Sequence, residues 1–328
     1  MYNNKMDSIL YMYNRLIEGK IVFKNDILDK FQINERTFYR YIKNIKDFIE
    51  NPSSELIGQS IDFDRLKGGY ILNGKAENNL NEKEILAISK VLLESRGFVK
   101  SEIQNILNKL LENCVGEDED KIKRIIGNEL INYESPKHGK ELLDKLWEIS
   151  NAIKEQNVLE IGYYKMGCDG KLQDEVANRT LYPQGLLFSE YYFYLIAFIE
   201  GTSYEYPTIY RVDRIENLIV TDKKYKVDYS ERFKDGEFRK LIQFMHTGKL
   251  ERIKFRYTGW SIEAVLDKLS NAKVVQEKPG EYIVETSMFG KGIKMWLLSQ
   301  GDSVEVIGSE QFREEMLQTI DKMRNLYV

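Results

Sequence analysis

The chain has 328 residues, 42% hydrophobic and 30% charged, with a net charge of −4. That length suits several domains rather than one small core, and no apolar run is long enough to cross a bilayer or form a secretory signal core, which excludes a membrane protein and implies a cytoplasmic one. Cys114 and Cys168 stand far apart without a CxxC motif, which excludes a disulfide framework or a zinc ribbon, so no metal or cofactor is expected. The charge is uneven: residues 1–75 carry a net of +2 and the remainder a net of −6.

From Met6, the apolar residues Ile9, Leu10, Tyr13, Leu16 and Ile17 recur at three- and four-residue spacing and predict a helix ending at Gly19. A second helix carries Ile27, Leu28 and Phe31 after the expected cap Asn25. The turn Gln32-Ile33-Asn34 then leads into a third helix capped by Asn34. Its expected buried stripe is Phe38, Tyr41, Ile42, Ile45, Phe48 and Ile49. Arg36, Arg40, Lys43 and Asn44 are left on another face, with Thr37 and Tyr39 near the N-terminus. These are residue types that contact DNA, because Arg pairs with guanine edges while Lys and Tyr hold phosphates. A solvated basic face is the competing reading. After Pro52, the alternation of Ile61 and Phe63, the turn at Lys67-Gly68-Gly69 and the run Tyr70-Ile71-Leu72 predict a hairpin. A hairpin directly after such a helix reads as a wing.

Residues 76–135 predict helices with stripes at Leu86, Ile88, Val91 and Leu92, then Ile103, Ile106, Leu107, Leu110 and Leu111, then Ile122, Ile125, Ile126 and Leu130. The acidic stretch Glu117 to Asp120 reads as a solvated loop, and Ser135-Pro136 as a break. A helix at about 140–156 precedes strand-like runs at 158–166, 179–188, 191–199, 206–212 and 215–220, and so many short strands predict a small antiparallel barrel. From Glu251 the order is strand 253–257, helix 261–269, strand 273–277, strand 282–288, helix 293–298, strand 303–307 and a closing helix, the βαββαβ order of a ferredoxin-like sandwich. Trp260 and Trp296 are expected in the core.

Three groups of residues now carry a family resemblance. Ile33-Asn34-Glu35-Arg36-Thr37-Phe38-Tyr39-Arg40 with Gly68-Gly69-Tyr70-Ile71-Leu72 resembles the DNA-binding end of WYL-domain regulators, departing from it at Tyr41 where Asp is usual. Phe193-Tyr194-Leu195 stands where that family has Trp-Tyr-Leu, Arg179 and Pro183 match the Arg-x-x-x-Pro before it, and Tyr210-Arg211-Val212-Asp213-Arg214-Ile215 matches Phe-Arg-Leu-Asp-Arg-Ile. Trp296-Leu297-Leu298-Ser299 and Gly301 before a Val-Glu-Val strand resemble the family's C-terminal extension. The resemblance implies an α+β multidomain chain: a winged helix-turn-helix over 1–75, a helical linker over 76–138, an SH3/Sm-like small β-barrel WYL domain over 139–228, and a ferredoxin-like C-terminal extension over 229–328.

It further implies a bacterial transcription regulator that binds a double-stranded DNA operator as a homodimer. Within the barrel, arginine and tyrosine suit phosphate pairing and base stacking, so Tyr163, Arg179, Tyr182, Tyr194, Arg211 and Arg214 are expected to bind a nucleotide or single-stranded nucleic-acid effector, with steep salt dependence. Arg211 has a structural alternative, an ion pair with Asp213. Strand alternation puts Arg211 and Arg214 on opposite faces unless the strand ends between them. No P-loop, dinucleotide glycine pattern, HExxH or GxSxG is present, and only His138 and His246 could serve near-neutral acid-base work, so no enzyme is expected. The alternative function is an accessory nucleic-acid-binding protein that assists a defence or repair effector.

Overall fold

A computed structural model describes residues 5–51, 59–73, 80–112, 117–202, 206–226 and 234–328; Pro52 and the thiol of Cys114 lie outside them. The chain forms two compact units. One runs up to Arg96 and takes in Lys100–Ser135; the other holds Gly97–Val99 and everything from Pro136 onward.

The first unit opens with three helices, α1 (Lys5–Ile17), α2 (Lys24–Phe31) and α3 (Glu35–Ile49). Ser8, Met12 and Leu16 are buried on α1, whereas Leu10 is 49% exposed. The buried stripe thus runs one position beside the expected one, with Ile9 and Tyr13 on its flank. Asn25 is not a cap: α2 starts at Lys24, behind Phe23 in extended conformation. Asn34 does cap α3, its side chain accepting from the Thr37 N–H at 2.9 Å. Phe38, Tyr41, Ile42, Ile45 and Ile49 are buried on α3, but Phe48 is 57% exposed and edge-on to Tyr13.

Strands β1 (Ser60–Asp64) and β2 (Gly69–Asn73) pair antiparallel as the expected hairpin. Only Ile61 of its two alternating apolar residues is buried; Phe63 is half exposed against Tyr70. Three more helices follow: α4 (Glu82–Ser95), α5 (Lys100–Leu111) and α6 (Glu117–Ile131). On α4 the buried row is Ile85, Ser89 and Leu93, and Val91 faces solvent. The stretch expected as an acidic loop is the first turn of α6, where Glu119 pairs with Lys123 one turn on and carboxylates complement the helix dipole.

In the second unit α7 (Leu143–Glu155) packs on a five-stranded sheet. Its strands are β3 (Asn157–Met166), β4 (Leu172–Ser189), β5 (Tyr192–Ile199), β6 (Thr208–Arg211) and β7 (Ile215–Lys224), in the order β6-β5-β4-β3-β7 with neighbouring strands antiparallel. A single 3-10 turn, Val212–Arg214, joins β6 to β7. One sheet face packs Leu181, Leu195 and Tyr210 against Leu142 and Ile149.

Beyond α8 (Asp235–Leu241) comes β8 (Leu250–Tyr257), α9 (Ile262–Lys268), β9 (Lys273–Lys278), β10 (Glu281–Phe289), α10 (Gly290–Ser299), β11 (Val304–Val306) and α11 (Glu310–Arg324). Their sheet order is β11-β8-β10-β9, again antiparallel throughout. Trp296 is buried against Phe255, but Trp260 is fully exposed. It sits in the turn between β8 and α9, just before the cap Ser261, where no apolar neighbour is folded over it. Among the described residues, no helix is long and apolar enough to cross a membrane.

Candidate nucleic-acid interfaces

At 3.6 residues per turn, Arg36, Arg40 and Lys43 fall within about 60° of one another around α3, and Asn44 extends that face to about 100°. All four are exposed. Asp47 shares the face and is the single carboxylate on it. Nearby Lys24 pairs with Glu35 and Lys46 with Glu50, while Arg36, Arg40 and Lys43 carry no ion pair among the described residues. Thr37 and Tyr39 sit on the two flanks. Thr37 is half-buried with its N–H committed to the cap, and Tyr39 is 47% exposed, edge-on to Phe38.

The hairpin is tied to the helices by its glycines. A Cβ on Gly69 would lie 2.3 Å from Ile21 Cγ2 and 3.1 Å from the Val22 carbonyl, so only glycine lets β2 run this close to the segment between α1 and α2. There Val22 and Tyr70 exchange both backbone hydrogen bonds, at 2.9 and 3.0 Å. Gly68 has φ +69°, and Asp64 accepts from the N–H groups of Leu66 and Lys67, closing the turn. This leaves Arg65 and Lys67 exposed at the hairpin tip. They are two further cations that the motif-led reading passed over, although a charged hairpin tip was visible in the sequence.

In the five-stranded sheet, Leu187, Tyr194 and Arg211 form one cross-strand row, on the face opposite Leu195 and Tyr210. The Arg211 guanidinium donates from Nε to Asp213 Oδ1 at 3.0 Å and from Nη2 to Oδ2 at 2.9 Å. Its carbon lies 3.3 Å from the centre of the Tyr192 ring, and its backbone N–H donates to the Tyr163 hydroxyl at 3.3 Å. The side chains of Arg211 and Asp213 are 19% and 5% exposed. Burial opposes the Arg211 charge, but the hydrogen bonds and charge of Asp213 more than offset it and hold the guanidinium above its ordinary range. Burial likewise pushes the Tyr194 phenol up, against the pull of Arg211 and Arg214. Because β6 ends at Arg211 and a 3-10 turn follows, strand alternation does not carry on to Arg214. The ion-pair alternative for Arg211 is therefore the one present.

The six expected effector residues do not make one site. Tyr194 and Arg211 come together, with Tyr163 behind them and edge-on to Tyr210, whereas no contact ties Arg214 to them among the described residues. Arg179 is opposite Ile161 and shares the face of Leu181, so alternation points it away from Arg211, and its Nη1 donates to the Asn178 carbonyl. Tyr182 pairs with Phe198, four residues along β5 from Tyr194, a separation of about 13 Å. Ile196, between them, is covered by Phe238 and Phe289. Tyr192 was missed as a member of the cluster, whereas Asp213 was foreseen as the ion partner of Arg211. Period-two spacing from Tyr194 would have found Tyr192.

An arginine has five N–H donors. Asp213 takes those on Nε and one on Nη2, leaving the Nη1 pair and the second Nη2 proton for a ligand. The planar fork is thus held at one edge by a carboxylate and on one face by a ring, a preformed arrangement for a phosphate oxygen or a base edge.

Residues 144–220 match the family model described as the WYL domain. Two solved structures resemble the chain in part. Proteasome accessory factor B/C (PafBC) of Arthrobacter aurescens is 15% identical with a TM-score of 0.30, covering 94% of this chain and 47% of that one. The chain thus spans about half the length of that protein. A CRISPR Cas-related protein is 14% identical with a TM-score of 0.37, covering 98% of this chain and 83% of that one. No curated protein matches.

Proposed function

We infer that this WYL-domain protein, matched to that family over residues 144–220, is a DNA-binding transcription regulator that acts without catalysis. The reading treats α1–α3 and the β1–β2 hairpin as a winged helix-turn-helix whose third helix enters the major groove of an operator. Arg36, Arg40, Lys43 and Asn44 face the duplex, with Thr37 and Tyr39 beside them and Arg65 and Lys67 reaching a neighbouring phosphate. The observation that carries it is the exposed face of α3, where three cations stand without ion partners among the described residues, beside a hairpin fixed to the same helices.

The finer domain assignments are part of this reading. The order β6-β5-β4-β3-β7 with a 3-10 turn before the last strand supports an SH3/Sm-like barrel, and the order β11-β8-β10-β9 supports a ferredoxin-like sandwich. We assign the cluster of Tyr192, Tyr194 and Arg211, together with Arg214, to an effector that carries phosphate and a base, a nucleotide or a short single strand. Two winged helices pairing across a palindrome make a homodimer the natural assembly.

The same reading offers a link between sensor and helices. The second unit includes Gly97–Val99, the connection from α4 to α5. Phe98 packs 5.4 Å from Phe193, the strand neighbour of Tyr192 and Tyr194. A Cβ on Gly97 would lie 2.7 Å from the Phe188 ring. The direct test of the DNA assignment is fluorescence anisotropy with a duplex from the upstream region of the protein's own gene. Arg36→Ala and Arg40→Ala should each weaken binding with the fold unchanged; equal affinity in both variants and the wild type removes the assignment.

A further inference from the structure

At the end of the barrel away from Arg211 lies a groove of about 760 Å³ that the effector reading leaves unused. Tyr182 and Tyr225 stack along its wall, ring centres 5.3 Å apart and planes 23° from parallel. Both phenols are tied down. The Tyr225 hydroxyl donates to the Pro183 carbonyl, and that of Tyr182 donates to Glu200 Oε1 at 3.1 Å. The ring planes are therefore fixed before any ligand arrives. Phe198, directly across the strand pair from Tyr182, extends the aromatic wall.

The rim adds charge. Lys223 and Lys226 line the groove, are exposed and make no ion pair among the described residues, whereas Lys224 between them is held by Glu155 and Asn157. Two ammonium groups without ion partners among the described residues, beside a rigid aromatic wall in a part of the chain that is otherwise acidic, suit a flat ring bearing an anionic tail. Glu200 keeps an acceptor oxygen that suits an exocyclic amine on that ring.

We propose that this groove is a second, independent nucleotide-binding site, in which Tyr182 stacks an amino-bearing base and Lys223 and Lys226 take its phosphate. It goes beyond the effector assignment and uses none of the residues of the Arg211 cluster. Such a base and phosphate could come from a free mononucleotide or from a nucleotide within a single strand.

The test is photolabelling of the full chain with 8-azidoadenosine monophosphate and peptide mapping, alongside competition by AMP, by a short oligodeoxyadenylate and by inorganic phosphate. Label is expected on the peptides carrying Tyr182 and Tyr225. It should fall roughly tenfold or more in Tyr182→Ala and in Lys223→Glu/Lys226→Glu, stay in Tyr182→Phe, and persist in Arg211→Ala. The lysine pair is exposed, so that variant tests the site even if Tyr182→Ala is poorly folded. Stronger competition by AMP identifies a free nucleotide as the source, and stronger competition by the oligonucleotide identifies a strand; either supports the site. Label confined to Tyr192 and Tyr194, no specific label, labelling indifferent to the lysine variant, or equal competition by inorganic phosphate overturns it. Loss of effector binding in Arg211→Ala with this labelling intact would separate the failure of one site from that of the other.

Discussion

On α3 the side chains of Arg36, Arg40 and Lys43 stand in solvent without ion partners among the described residues, whereas in the barrel Arg211 is 19% exposed, ion-paired to Asp213 and laid on the ring of Tyr192. The first arrangement keeps its charge and gives up rigidity; the second does the reverse. Free surface cations attract a polyanion from a distance and lose that attraction as salt rises, with log affinity falling by about 0.9 per phosphate contact for each unit of log salt on duplex DNA. An arginine whose charge is already matched contributes donor geometry more than net attraction. Sequence alone implied steep salt dependence for the effector site. With Asp213 in position, the dependence should be steep for the operator and shallower for the barrel ligand.

The comparison breaks most visibly if Asp213 is removed. Asp213→Ala leaves Arg211 partly buried with no counter-charge, and breaking a buried pair costs about 3–5 kcal/mol, with the lower end expected because Arg211 retains some solvent. Urea denaturation should show that loss. A cost as small as that of an ordinary surface pair would mean the cluster is less rigid than described.

Next in size are the variants of α3. Arg36→Ala and Arg40→Ala should each cost about 1–3 kcal/mol of operator binding if they read bases, with the melting temperature unchanged. Lys43→Ala should instead reduce the salt slope by about one contact across all sequences. Anisotropy titrations at several salt concentrations separate the two behaviours.

Rigidity in the barrel also has a pH signature. Burial pushes the Tyr225 phenol up to about 12, from an ordinary value of 10.0. The folded state thus favours the protonated phenol: the stabilisation is complete below pH 10 and is lost as pH rises through the folded value. Between pH 10 and 12 the wild type should lose stability to urea faster than Tyr225→Phe, and parallel curves would show that Tyr225 is more solvated than its position implies. The smallest effect is local. Asn34→Ala removes the hydrogen bond to the Thr37 N–H and should cost about 1 kcal/mol of stability, with a modest loss of operator affinity because the first turn of α3 carries Arg36. Stability equal to wild type would mean that solvent caps the helix as well as Asn34 does.

Much of the architecture was legible from periodicity. Every predicted strand of the barrel and of the C-terminal region has a counterpart, as does each of the three N-terminal helices. The errors fall where local pattern and tertiary packing diverge. Spacing rules could not choose between Ile85 and Val91 for the inner row of α4, or tell that Phe48 and Trp260 are exposed among the described residues. Asn25 looked like a cap because its residue type is right, but the backbone turns helical one residue earlier.

The α3 face could be read directly, since a helix places i, i+4 and i+7 together without outside help. The barrel cluster could not be read whole. Its composition follows from strand register, the shift near Pro183 and Gly185, and the 3-10 turn that carries Asp213 round to Arg211. None of these is encoded by residue type at fixed spacing. Arg179 and Tyr182 were grouped with Arg211 by shared chemistry, and the register separates them.

The central claim is that a ligand at the Arg211 cluster and an operator at α3 bias one another, and the most direct measurement is a closed binding cycle on the full chain. A labelled operator duplex is titrated with and without saturating six-nucleotide single strand, and the labelled strand with and without operator. The account predicts that operator affinity changes by roughly fivefold or more on adding the strand, that strand affinity changes by the same factor on adding operator, and that Arg211→Ala abolishes both changes while leaving operator binding itself intact. Operator affinity identical with and without bound strand, or strand binding undiminished in Arg211→Ala, would contradict it.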